Sequence, residues 1–204
     1  MAHNVRRTYT AQEALDRLKK GNARFVAGRA RFPTVQKEVL ADLAKGQHPY
    51  VTVLGCSDSR VPPELLFDAG LGELFVIRVA GNVLGPTIAG TLQYAGTHLQ
   101  TPLFVVLGHE GCGAVEACIA ERFHGAHHRS RISLLLEKIA PALDNLDPAL
   151  PPSTLMSMAV EANVRWTVHQ MRDSPEGKLH TAHDDLTLVG AVYDIATGRV
   201  RFLE

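Results

Sequence analysis

The chain has 204 residues, 46% hydrophobic and 21% charged, and its 21 basic residues balance its 21 acidic ones. That length and composition suit one globular domain with a sizeable core. The zero formal charge excludes the basic excess on which nucleic-acid and anionic-membrane binding rest, and no apolar run approaches the ~20 residues that span a bilayer.

Met1 to Thr10 carries arginines with no apolar stretch behind them, so no secretory signal is expected and the cytoplasm is the expected location. The three cysteines, Cys56, Cys112 and Cys118, argue in the same direction, because an odd count without a signal does not make a disulfide framework. Thr10 and Glu13 have the spacing of a capping box. Leu15, Leu18, Asn22, Phe25 and Val26 follow at helical spacing, and Gly28 is the expected stop. Val35 to Lys45 reads as a second, shorter helix ending at Gly46. Residues 1–45 thus form an N-terminal helical arm on a core of residues 50–204, the whole being a single domain.

The core alternates. Tyr50–Leu54, Leu74–Val79 and Leu103–Leu107 are short apolar runs, each expected to be a strand buried on both faces. Between them, Pro62–Phe67 and Pro86–Leu99 read as helices with proline near the first position, where a missing N–H costs little. This order predicts right-handed crossovers and a mostly parallel sheet flanked by helices. A helix from about Gly113 to Phe123 follows, then a polar stretch, then helices over Ile132–Leu143 and Ser153–Asp173. Leu188–Ile195 is the last core strand, and after a turn at Ala196–Gly198, Arg199–Leu203 is expected at the sheet edge.

Cys56 follows directly after the first strand, His109 directly after the third, and Cys112 three residues later. Open parallel sheets bind ligands at the carboxyl ends of their strands. Two distant segments therefore deliver two thiols and an imidazole to one sheet edge, a set that suits tetrahedral zinc with a fourth position left for water or substrate. Cys112 would start a helix, whose N-terminus favours a thiolate. Asp58 and Arg60 lie close after Cys56. The carboxylate could occupy the fourth position itself, or Arg60 could hold it away in a bidentate pair, leaving it to orient a water. Cys118 reads as a core residue. His124, His127 and His128 sit among Arg122, Arg129 and Arg131, which would repel a cation, and read as a solvated loop.

Three motifs make the pattern specific: Cys56-Ser57-Asp58-Ser59-Arg60, Arg78-Val79-Ala80-Gly81-Asn82, and Gly108-His109-Glu110-Gly111-Cys112-Gly113, with Leu188 to Asp194 fitting as well. With them the chain resembles the β-class carbonic anhydrases over nearly its whole length. The resemblance implies one zinc ion per subunit on Cys56, His109 and Cys112, an Asp58–Arg60 catalytic dyad, and reversible hydration of carbon dioxide to bicarbonate. Gln47, Phe75 and Tyr94 match the substrate pocket of the family's open-site kind. Trp166, the only tryptophan, lies too far along the chain to match the bicarbonate-trapped kind. The family's sites lie at a dimer interface, which implies a homo-oligomer, a dimer or dimer of dimers, with part of the pocket coming from the neighbouring subunit. Two other readings carry the same residues. One is a hydrolase of carbonyl sulfide or carbon disulfide on this scaffold. The other is a zinc-stabilised binding protein without turnover, in which Asp58 is a permanent fourth ligand.

Overall fold

The computed structural model describes residues 9–31, 37–175, 177–178 and 186–203. Seven helices of that region are α1 (Ala11–Val26), α2 (Lys37–Leu43), α3 (Pro63–Leu66), α4 (Pro86–Tyr94), α5 (Gly113–His124), α6 (Arg131–Ile139) and α7 (Pro152–Asp173). The strands are β1 (Val51–Gly55), β2 (Leu74–Arg78), β3 (Leu103–His109), β4 (Thr187–Tyr193) and β5 (Val200–Phe202). They form one sheet in the order β2-β1-β3-β4-β5, with the first four parallel and β5 antiparallel at the edge. The α/β class, the parallel sheet and the C-terminal edge strand are as expected from the sequence.

Local chemistry explains the ends of the elements. Thr10 and Glu13 close the capping box: Glu13 N–H donates to Thr10 Oγ1 at 3.2 Å, and Thr10 N–H donates to the Glu13 carboxylate at 2.8 Å. Pro63 and Pro86 each open a helix. The segment expected as one helix over Pro86–Leu99 changes to a π-helical turn over Ala95–Leu99 and ends at Gln100 in the left-handed region. Of the second predicted helix, Val35 and Gln36 lie outside the described residues.

Each face of the sheet carries its own core. On one, Leu54, Ile77, Phe104, Val106 and Val192 pack with buried residues of α4, α5, α6 and α7. On the other, Val51, Val53, Val105, Leu107 and Ala191 pack with Ala14 and Leu18 of α1 and Leu66 of α3. Asn22 ties α1 to the distal turn, accepting from Val200 N–H at 2.9 Å and donating to Gly198 O at 2.9 Å. β1 and β3 are therefore buried on both faces along their whole length. β2 is not: only Leu74 and Ile77 are buried and Arg78 is exposed, because β2 is an edge strand with a neighbour on one side alone. The apolar run Leu74–Val79 does not distinguish an edge strand from a central one.

The α7 side is drawn close at Gly108. A Cβ there would lie 2.5 Å from Val164 Cγ2, so only glycine lets the helix seat on β3 beside the residue that follows, His109.

Candidate metal centre

Cys56, His109 and Cys112 offer three ligand atoms that all lie within 4.8 Å of one another, and all three residues are buried. The fold brings them together as the strand-end argument requires. β1 and β3 are adjacent and parallel, with Gly55 opposite Leu107. Cys56 leaves the end of β1. His109 is the last residue of β3 rather than the first after it, since the strand runs two residues further than its apolar run and pairs with Tyr193 of β4. Cys112 caps α5. Among the described residues no other group of three or more ligating side chains could hold a metal ion.

The donors are poised for a cation. His109 is fully buried, and its Nδ1 lies 3.0 Å from the Glu110 carbonyl. A carbonyl can only accept, so Nδ1 carries the proton and Nε2 presents its lone pair. That Nε2 is buried and has no hydrogen-bond partner among the described residues. An orphaned imidazole nitrogen facing two thiols is costly unless an ion completes it. The two sulfurs are 4.0 Å apart. The contact that the two thiols share is the chief reason that Cys56 is pulled down against burial, and the Gly81 N–H adds to it. Cys112 is pushed up by the same contact and by burial. The helix N-terminus acts as expected, since the Ala114 and Val115 amides lower Cys112, but the neighbouring thiol outweighs them. Two thiols and one imidazole lone pair are a donor set that suits zinc.

Asp58 stands beside this group without joining it. Its Oδ2 is 3.9 Å from His109 Nε2. Arg60 grips it as a fork: Nε donates to Oδ1 at 2.9 Å, Nη2 to Oδ2 at 2.7 Å, and the Arg60 backbone N–H to Oδ1 at 2.9 Å. These bonds hold the Asp58 carboxyl well below the usual carboxylate range. Arg60 Nη2 also reaches the Gly111 carbonyl at 3.4 Å, linking the loop after β1 to the loop after β3.

One residue of the centre went unassigned in the sequence. Arg78, at the end of β2, donates from Nε to the Cys56 carbonyl at 2.8 Å and from Nη2 to the Asp58 carbonyl at 2.5 Å. It clamps the backbone that carries the first thiol and the carboxylate. Its signal was its place in the Arg78–Asn82 motif, which the register sets opposite Gly55.

The three pocket residues lie elsewhere in this chain. Gln47 is exposed on the segment that enters the amino end of β1. Phe75 pairs in register with Thr52, so it stands four residues, roughly 13 Å of strand, back from Cys56. Tyr94 is half exposed and packs its ring 6.1 Å from that of Phe75, with the His98 ring tilted against it at 4.9 Å. The structure brings Phe75 and Tyr94 together, but not to the thiols of their own chain. Trp166 donates to the Lys138 carbonyl on the α7–α6 side. Cys118 is buried in α5 and donates to the Leu136 carbonyl, and burial pushes its thiol up to about 11. His128 pairs with Glu121.

The chain is similar to known proteins over most of its length. The carbonic anhydrase family model matches residues 51–200. Carbonic anhydrase 2 of Mycobacterium tuberculosis is 45% identical over 126 residues, a match spanning 62% of this chain and 61% of that protein. The carbonic anhydrase of Mycolicibacterium smegmatis is 38% identical over 183 residues, 90% of this chain and 88% of that one. Among solved structures, the β-carbonic anhydrase CcaA superposes with a TM-score of 0.72 at 28% identity, covering 93% of this chain and 87% of its own. The family match over residues 51–200 and the likeness to a solved β-carbonic anhydrase show that the chain belongs to the β class of the carbonic anhydrase family.

Proposed function

We propose that this chain catalyses the reversible hydration of carbon dioxide to bicarbonate and a proton, with one zinc ion per subunit on Cys56, His109 and Cys112. The observation that carries the reading is the buried Cys–His–Cys group with a carboxylate held beside it, not in it, by an arginine fork. When bound, zinc supplies the Lewis acidity that makes water nucleophilic near neutral pH.

The chain's own residues do the rest. Asp58 accepts a proton-side hydrogen bond from the attacking water and so aims the oxygen lone pair at the carbon of carbon dioxide. Because Arg60 keeps the carboxylate ionised, Asp58 orients that water rather than storing its proton, which passes on to buffer. The Arg60 fork also holds the Asp58 carboxylate apart from the three residues that would hold the ion. That favours turnover over a purely structural four-ligand site.

Gln47, Phe75 and Tyr94 serve as the substrate pocket of a neighbouring protomer. Their place toward the amino end of β1 and on the exposed edge strand β2, far from their own Cys56, supports a homo-oligomer built on a dimer. The two sulfurs 4.0 Å apart must stay reduced to hold a metal, which fits the reducing cytoplasm. Among the described residues no helix is long and apolar enough to cross a membrane.

Stopped-flow hydration of carbon dioxide on protein of measured zinc content tests the reading. Turnover in proportion to zinc supports it. Stoichiometric zinc without hydration refutes it, and faster hydrolysis of carbonyl sulfide or carbon disulfide would reassign the substrate.

A further inference from the structure

Gly81 lies where two hydrogen-bonded peptide planes meet. Its N–H donates to Cys56 Sγ at 3.4 Å, and its carbonyl accepts from Asn163 Nδ2 at 2.8 Å. The Asn82 N–H, on the same peptide as that carbonyl, donates to Val79 O at 3.0 Å. Gly81 itself adopts φ 68 and ψ 15, a left-handed conformation in which glycine is held by no side chain of its own. The direction of its N–H therefore depends on what anchors the peptide after it.

Asn163 is the side-chain anchor of that peptide, beside the backbone bond from the Asn82 N–H. It is 1% exposed, on α7, a helix that supplies none of the three ligating side chains. A carbonyl only accepts, so the amide must turn its NH₂ to Gly81. Its Oδ1 is left buried with no partner among the described residues. A residue serving only to fill this space would be apolar, because the unpaired oxygen costs desolvation energy. The same helix is seated on β3 through Val164 against Gly108, next to His109. One rigid element thus reaches both halves of the ligand set.

We infer that Asn163 is a positioning residue of the metal centre: by holding the Gly81 carbonyl it fixes the Gly81 dihedrals, so that the Gly81 N–H donates to the Cys56 thiolate. The inference rests on the metal-holding role proposed for Cys56. Groups that orient metal ligands are typically worth about 10–100-fold in metal affinity.

The test uses the full-length protein loaded with cobalt(II). Asn163→Leu removes the donor at similar volume. A sulfur that loses a hydrogen bond gives up its electrons more readily. The thiolate-to-cobalt charge-transfer band should therefore move to longer wavelength, and chelator competition should show affinity lower by about 10–100-fold. Thr167→Val deletes a buried hydroxyl one turn along the same helix face, which has no partner among the described residues, and should leave both readings unchanged. An unshifted band and unchanged affinity in folded Asn163→Leu overturn the inference, and so does an equal shift in Thr167→Val. If the leucine variant does not fold, Asn163→Val is read in the same way. In the wild-type protein loaded with cadmium-113, a scalar coupling between the metal and the Gly81 amide proton reports the bond without any substitution, and its absence overturns the inference. A wild-type protein with no charge-transfer band would instead refute the metal reading itself.

Discussion

Gly108→Ala should destabilise the protein through one contact. The added Cβ would sit 2.5 Å from Val164 Cγ2 and 3.6 Å from Val160 Cγ1. Val164 cannot swing clear, since a β-branched side chain in a helix has essentially one χ1 rotamer. Its other methyl fills the space over Gly190, where Cγ1 lies 2.9 Å from the position a Cβ would take. Either α7 lifts from β3 or the end of β3 moves. Overpacking of this kind costs about 1–3 kcal/mol, and the rigid neighbour points to the upper end. For a chain of this size that lowers Tm by roughly 6–12 °C. Val164→Ala alone removes two methyl groups worth about 1.6 kcal/mol, plus a cavity term. In the double variant the new methyl enters the space that Val164 has left. The pair should therefore be more stable than the sum of the singles by at least about 1 kcal/mol. Urea unfolding followed by circular dichroism measures all four corners of the cycle. A Gly108→Ala protein within about 0.5 kcal/mol of wild type, or additive singles, would refute the packing argument.

Cys56→Ser should lose its metal, because a hydroxyl replaces the thiolate in a three-ligand set; full zinc occupancy by atomic absorption would overturn the assignment. Asp58→Ala should keep zinc and lose about 10–100-fold in kcat/KM, as an orienting group is removed without touching a ligand, and unchanged kinetics would remove Asp58 from the mechanism. Asp68 is buried and takes bonds from Arg24 Nε, from Arg31 N–H at 2.7 Å and from Arg31 Nε at 3.0 Å. Burial pushes its carboxyl up, and these bonds more than reverse that, so it titrates below its usual value. A group lowered on folding contributes stability above its unfolded pKa of about 3.9, and that stability is lost as pH falls through the folded value. Asp68→Asn should therefore cost about 2 kcal/mol at pH 7 and less at pH 3, and an equal cost at both would refute this.

The ligand set was legible because its information is local. Cys56 and His109 each lie at the end of an apolar run, Cys112 begins a helix, and parallel topology forces strand ends to one edge. The Asp58–Arg60 pair was legible only as a choice between two positions. Sequence spacing says nothing of which partner the carboxylate faces, and the fork from Arg60 is a fact of side-chain geometry. The exposure of β2 was not legible, since Leu74–Ile77 is as apolar as the central runs and strand order is a non-local property. The Asn163–Gly81 bond was equally hidden: the two residues are 82 positions apart, and an asparagine within a helical pattern carries no sign of what it faces.

The placement of the parts implies a division of labour. Cys56 directly follows β1 and His109 ends β3, the two strands buried along their whole length, so the proposed ligands stand on the least deformable part of the sheet. Asp58 and Arg60 sit in the loop outside it, where Arg60 is half exposed and a water can reach the carboxylate. Phe75 and Tyr94 sit on the edge strand and its helix, the one sheet margin where a parallel strand leaves its hydrogen-bonding edge unpaired within the described residues. In the proposed dimer that margin meets the partner, so an apolar wall for carbon dioxide forms only on assembly, while the metal-binding side chains are already set within one chain. Metal affinity should then be a property of the protomer and catalytic efficiency a property of the assembly, because the first draws on buried strands and the second on an exposed edge.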